Sequence, residues 1–169
     1  SKTEREAVRT VFALAEKEGF AAFDQSRTYQ AGDRVYFNNS GKALILAVIG
    51  KKGCKNGVRI SAAHIDSPRL DLKPHPLYEQ NDLALFKSHY YGGIKKYQWT
   101  AIPLALHGVV VLKDGTRVQI NVGENPKDPV FYIDDLLPHL GADQMMQKGG
   151  KLIEGEQLNV VVGGLPCAD

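Results

Sequence analysis

Val58-Arg59-Ile60-Ser61-Ala62-Ala63 delivers His64-Ile65-Asp66-Ser67-Pro68 and then a proline-punctuated exit through Lys73-Pro74-His75-Pro76. The apolar run predicts a strand over 58–63. Open α/β sheets place their sites beyond the carboxyl ends of strands, so the histidine and the carboxylate two residues later form the candidate site. Residues two apart in extended chain project to one face, which lets both side chains turn toward one cavity. Pro68 then stops the pairing, because it has no N–H to give.

His64 and Asp66 read as a metal ligand and its orienting partner. A neutral imidazole binds zinc well. A nearby carboxylate or carbonyl commonly fixes the tautomer and ring direction of such a ligand. His-x-Asp by itself is weak: a lone histidine is more often a buried or surface residue without a metal.

The wider string is more specific. Ala63-His64-Ile65-Asp66-Ser67-Pro68-Arg69-Leu70, then Leu72-Lys73-Pro74, Tyr91-Gly92-Gly93 and the Trp99 segment resemble the M18 zinc aminopeptidases, the family of the aspartyl aminopeptidases and aminopeptidase I. The resemblance covers most of the chain. It implies that His64 binds zinc and that Asp66 supports the catalytic metal centre. It implies a two-zinc hydrolase that removes amino-terminal residues from peptides, with other divalent metals possible at nitrogen and carboxylate sites.

The same resemblance exposes a shortfall. The family's remaining ligands and its general base, including a Glu-Glu pair, lie in chain that would follow Asp169. No Glu-Glu pair occurs in this sequence, and Glu154 and Glu156 sit in a glycine-containing turn. One histidine and one aspartate cannot fill a two-zinc centre. The expectation is the amino-terminal portion of an aminopeptidase, inactive alone.

The 169 residues suffice for one ordinary domain or two small ones, and 43% apolar with 24% charged residues is ordinary globular composition. A net charge of +2 without a dense basic run gives no footprint for nucleic acid. Lys51-Lys52 and Lys95-Lys96 read as solvated turns. No apolar run approaches the roughly 18 residues of a membrane span, and the charged start is no signal peptide. Cys54 and Cys167 lack a CxxC spacing, so neither a disulfide framework nor a zinc ribbon is indicated. A reducing cytoplasm is the default.

The expected fold class is α/β: the start of a mixed-sheet zinc-peptidase catalytic domain over 1–86, followed by a β-rich dimerisation domain over 87–169. In the first, residues 3–19 predict a helix with Thr3 as N-cap, Glu6 closing a capping box and Gly19 as the stop. Val8, Val11, Phe12 and Ala15 mark its core face. Residues 20–32 read as loop and 33–39 as a strand. Leu44-Ile45-Leu46-Ala47-Val48-Ile49 reads as a strand buried on both faces. The absence of complete crossover helices leaves an apolar sheet face or edge open unless another polypeptide covers it.

In the second, Tyr91-Gly92-Gly93 suggests a hinge or tight crossing. Residues 104–112 and 117–122, joined by Lys113-Asp114-Gly115-Thr116, predict a hairpin. Residues 134–140 read as a short helical or turn element and 158–163 as a strand. By the resemblance this lobe pairs subunits into dimers that assemble to a dodecamer, and it sends a histidine into the neighbouring subunit's site. Pro138-His139-Leu140 is the closest local match, which makes His139 that candidate; the alternative is a surface histidine. His75 between its prolines reads as exposed and His107 as packed or hydrogen-bonded. His89 is undecided. Arg69 reads either as a partner for a substrate carboxylate or as solvated, and Trp99 as a packed anchor.

Two other functions compete. A non-catalytic piece acting in subunit assembly fits the β-rich lobe and the missing ligands. Another amidohydrolase on the same metal cradle, such as a deacylase, fits His64 and Asp66.

Overall fold

The computed structural model describes residues 1–164; Cys167 lies outside them. The chain forms two compact units, Ser1–Ser67 and a second from Pro68 onward. The change of composition near Lys87 does not coincide with this division. It falls inside strand β5 (Leu83–Tyr91), which pairs antiparallel with β4 (Arg69–Gln80), so the whole hairpin belongs to the second unit.

The first unit opens with helix α1 (Glu4–Lys17). The Thr3 hydroxyl accepts the Glu6 N–H at 3.3 Å, and the Glu6 carboxylate accepts the Thr3 N–H at 3.3 Å, completing the capping box. Val8 and Ala15 are buried, and Phe12 stands edge-on to Tyr36 with centroids 4.6 Å apart. Val11, expected on the same face, is exposed.

Three strands follow: β1 (Ala21–Ala22), inside the stretch expected to be loop, then β2 (Arg34–Asn39) and β3 (Ala43–Val48). β1 runs parallel to β2, and β3 antiparallel to it. The β2–β3 turn uses positive φ at Ser40 and Gly41, the backbone hand that suits a twisted hairpin. β3 is not buried on both faces: Ile45 is 62% exposed, and Leu46 and Val48 are exposed as well. Its apolar surface is the open sheet face that the sequence anticipates.

The strand predicted over 58–63 is not formed. After a single 3-10 turn (Gly53–Asn56), residues 57–68 are unpaired chain, with Val58 exposed and Ile60 82% exposed. Apolar sequence favours a strand, but a strand exists only where a neighbour accepts its backbone hydrogen bonds. Among the described residues none pairs with this segment.

The second unit is built on a three-stranded antiparallel sheet in the order β4-β5-β8, with β8 spanning Val160–Gly163. Asn81 and Asp82 turn β4 into β5 with φ of 55° and 59°. The Lys73-Pro74-His75-Pro76 run is an irregularity within β4: the register shifts between Leu72 and Leu77, and His75 has φ 54°. Two prolines without N–H groups are tolerated at such a bulge.

Strands β6 (Leu106–Val111) and β7 (Arg117–Val122) form the predicted hairpin, its turn fixed by the Thr116 N–H on Asp114 Oδ1 at 2.9 Å and by Gly115 at φ 86°. Residues 133–137 carry no helix; a turn at 138–140 leads to the short helix α2 (Ala142–Met145).

Ile133, Ile153, Leu158 and Val160 form the core of this unit, with Leu70, Phe86, Trp99, Leu104 and Phe131 packed around them. Trp99 is thus the anchor that the sequence suggests. The buried Ser88 hydroxyl donates to the Leu158 carbonyl, so the strand and the core share one polar tie.

Two outcomes follow from this packing. Leu158 is fully buried, so Leu158→Ala is expected to lower stability by about 2–5 kcal/mol through lost transfer energy and a residual cavity. Denaturant titration reads this directly, and a loss well under 1 kcal/mol would contradict the core assignment.

The second outcome concerns Asp135. Burial raises its carboxyl, but the Gln144 amide, the Leu136 N–H and the Thr100 hydroxyl outweigh that and hold it below the usual range. Its contribution is therefore fully present above the unfolded carboxylate value of about 3.9 and is lost as pH falls through the lower folded value. The stability difference between Asp135→Asn and the parent chain should shrink as pH falls through that window. A pH-independent difference would break the argument.

Candidate metal centre

Although unpaired, the 58–68 segment brings its two candidate residues together. His64 Nδ1 lies 3.0 Å from Asp66 Oδ1 and 3.0 Å from the Asp66 carbonyl oxygen. The i, i+2 spacing of extended chain is sufficient for this and needs no sheet. With the Nδ1 proton given to Asp66, the Nε2 lone pair is left available, the tautomer that a carboxylate-oriented metal ligand requires. The His64 side chain is 83% exposed and that of Asp66 34%.

One imidazole with a carboxylate behind it suits zinc in donor type. It is short in number: zinc takes about four donors, and among the described residues no group of three or more His, Cys, Asp or Glu side chains comes together. The fit is that of part of a site.

The other histidines have different settings. His139 is exposed in the turn 138–140 of the second unit. His107 Nε2 meets Glu124 Oε1 at 2.9 Å, with only 9% of its side chain exposed, so it is hydrogen-bonded as expected. His89 is exposed on β5, opposite Asp71 of β4, with its ring against Tyr90. His75 is exposed at the bulge.

Glu156, one of the two late acids, is engaged by Lys73 Nζ at 2.6 Å, and that hydrogen bond and charge hold its carboxyl below the usual range. Glu154 takes part in a capping interaction with Gln157.

Arg69 is engaged within its own hairpin rather than simply solvated. Its Nε donates to Asp71 Oδ1 at 2.7 Å, and its guanidinium lies 4.1 Å from the centre of the Tyr91 ring. Beside it, Gly92 at φ 83° packs against Pro68, whose Cγ lies 3.6 Å from where a Cβ would stand. The Arg-x-Asp alternation carried a signal for the first contact; nothing local marked the second, because its partners are distant in sequence.

Comparison with known proteins gives a consistent result. The profile of the Aminopeptidase I zinc metalloprotease (M18) family matches residues 1–165. The chain is 52% identical over 172 residues to a probable M18 family aminopeptidase 1 of Clostridium acetobutylicum, covering 99% of this chain and 37% of that protein. It is 48% identical over 168 residues to one of Thermotoga neapolitana, covering 99% and 36%.

Among solved structures, an M18 aminopeptidase from Thermotoga maritima superposes with a TM-score of 0.89 at 44% identity, over 99% of this chain and 36% of that one. Aminopeptidase I from Clostridium acetobutylicum gives 0.83 at 46% identity, over 97% and 36%. The α/β fold expected from the sequence is the fold of the corresponding part of these enzymes, and the chain spans a little over a third of their length. With the profile matched over residues 1–165, the chain belongs to the M18 family of zinc metallo-aminopeptidases.

Proposed function

We propose that the polypeptide carrying this chain is a zinc-dependent aminopeptidase subunit that removes amino-terminal residues from peptides. The single observation that carries this is the His64 Nδ1 to Asp66 Oδ1 contact of 3.0 Å inside the Ser-Pro-terminated segment. In this reading His64 gives its Nε2 lone pair to one of two zinc ions, and Asp66 keeps the proton on Nδ1 and supports the metal centre. The zinc ions, when bound, supply Lewis-acid polarisation of the scissile carbonyl and activation of water.

His139, exposed in its turn, is assigned to the site of a neighbouring subunit. The β-rich chain beyond the β4–β5 hairpin is read as the lobe through which subunits pair and build toward a dodecamer, and the chain leading to His64 and Asp66 as catalytic-domain chain. With two candidate donors at one place, this chain alone is expected to be without activity.

Exposed apolar residues favour a second reading, a fragment acting in subunit assembly. Ile45, Leu46 and Val48 on β3, and Val110, Val111 and Leu112 at the β6–β7 hairpin, are all exposed. Such surface is expected of chain that binds more protein.

In the full-length polypeptide, His64→Ala is expected to lower bound zinc and abolish hydrolysis of leucyl- and aspartyl-peptides. Asp66→Asn should weaken zinc affinity or activity by about 10- to 100-fold, the usual cost of losing a ligand's orienting partner. Metal analysis alongside peptide hydrolysis measures both; undiminished zinc in His64→Ala would remove the histidine from the metal centre. His139→Ala should leave zinc content unchanged while reducing turnover, which separates its role from that of His64.

A further inference from the structure

Of the asparagines in the chain, Asn56 alone precedes glycine. It ends the single 3-10 turn Gly53–Asn56, and both Asn56 and Gly57 are exposed. Among the described residues nothing is hydrogen-bonded to its side-chain amide. Three other asparagines are tied down: Asn38 accepts the Gly41 N–H at 2.8 Å, Asn125 accepts the Lys127 N–H at 3.0 Å, and Asn159 donates to the Glu156 carbonyl at 2.9 Å. Asn39, Asn81 and Asn121 precede Ser40, Asp82 and Val122, whose side chains crowd the following backbone nitrogen. Glycine offers no such obstacle, having no Cβ.

We propose that Asn56-Gly57 is a site of spontaneous deamidation in the folded protein. The Gly57 backbone nitrogen, giving up its proton, attacks Cγ of Asn56. The Cγ–Nδ2 bond breaks, the nitrogen leaves as ammonia with the proton, and a five-membered succinimide closes. Water then opens the ring at one carbonyl or the other, leaving an aspartyl or an isoaspartyl residue at position 56. Nothing is oxidised or reduced, and water is the sole co-reactant.

Two features of the structure favour the reaction. The Gly57 N–H is held by one bond, to the Cys54 carbonyl at 3.1 Å, of the poorly directed kind that closes a 3-10 turn. With no helix or strand continuing after it, that bond opens without disturbing a packed element. Charge favours it as well: Lys51, Lys52 and Lys55 share the loop, and no acid occurs between Asp33 and Asp66. The anionic nitrogen and the product carboxylate therefore form among cations.

The other dipeptide open to this chemistry, Asp114-Gly115, is restrained. Hydrogen bonds from Thr116 keep the Asp114 carboxyl low and ionised, a poor electrophile. Conversion at position 56 puts a negative charge, and in the isoaspartyl form an extra backbone methylene, into the connection that leads to His64.

The test is to hold the full-length polypeptide, folded, in mildly alkaline buffer and follow residue 56 by peptide mapping, with isoaspartate-specific methylation marking that product. Residue 56 is expected to gain the amide-to-acid mass difference, faster as pH rises, at a rate comparable with that of the denatured chain. An acidic shift of one charge should accompany it, and Asn56→Gln should abolish both. Asn56 remaining intact in the folded protein overturns the proposal, whether or not the denatured chain converts; so does faster conversion at Asn39.

Discussion

An extended peptide satisfies its N–H and C=O groups only by pairing with a neighbour or by facing water, and different parts of this chain meet that demand in opposite ways. Between Arg69 and Tyr91 the strands pair across the hairpin on both sides of the bulge, and β8 adds a third strand beside the core. Between Gly57 and Pro68 the backbone is unpaired and the apolar side chains around it are exposed. The candidate metal ligand sits in the unpaired part. Its local geometry survives there because the His64 to Asp66 contact is made within three residues.

The i, i+2 contact and the sheet are therefore separate achievements of the same sequence. Alternation along an extended chain sets which side chains share a face, and that follows from covalent geometry alone. Whether the face is buried and supplied with further donors depends on what lies alongside. The stretch Val58–Ala63 has the composition of a buried strand without the neighbour that would make it one. β3 repeats the pattern, with a ladder to β2 on one edge and exposed Ile45 and Val48 above it.

Local rules made much of the fold legible. Thr3 and Glu6 announced the helix start because capping is a matter of a few adjacent atoms. Asp114-Gly115 announced the β6–β7 turn because only certain residues accept its backbone angles. His64 and Asp66 were legible through spacing, and the family through the Ser-Pro, Lys-Pro and Tyr-Gly-Gly motifs around them. What was not legible was long-range. The proline run at 73–76 read as the exit from a strand, yet cross-strand pairing on both sides carries β4 through it as a bulge. Glu156 looked like a stray acid in a turn until Lys73, far away in sequence, came within 2.6 Å.

Two of the motifs that marked the family turn out to be in contact. Pro68 follows the His-Ile-Asp-Ser run, and Gly92 belongs to Tyr-Gly-Gly; in the structure the pyrrolidine ring lies beside Gly92, with its Cγ 3.6 Å from where a Cβ would stand. Gly92 also needs its positive φ of 83°, which penalises any residue with a Cβ. Arg69 stacks on Tyr91 one step along both strands, closing the open end of the hairpin with a cation over an aromatic face. Glycine after the end of β5 is thus a requirement of backbone angle, and Pro68 before the start of β4 packs beside it. That contact packs the residue before β4 against the residue after β5, beside the Arg69–Tyr91 pair that ends the ladder.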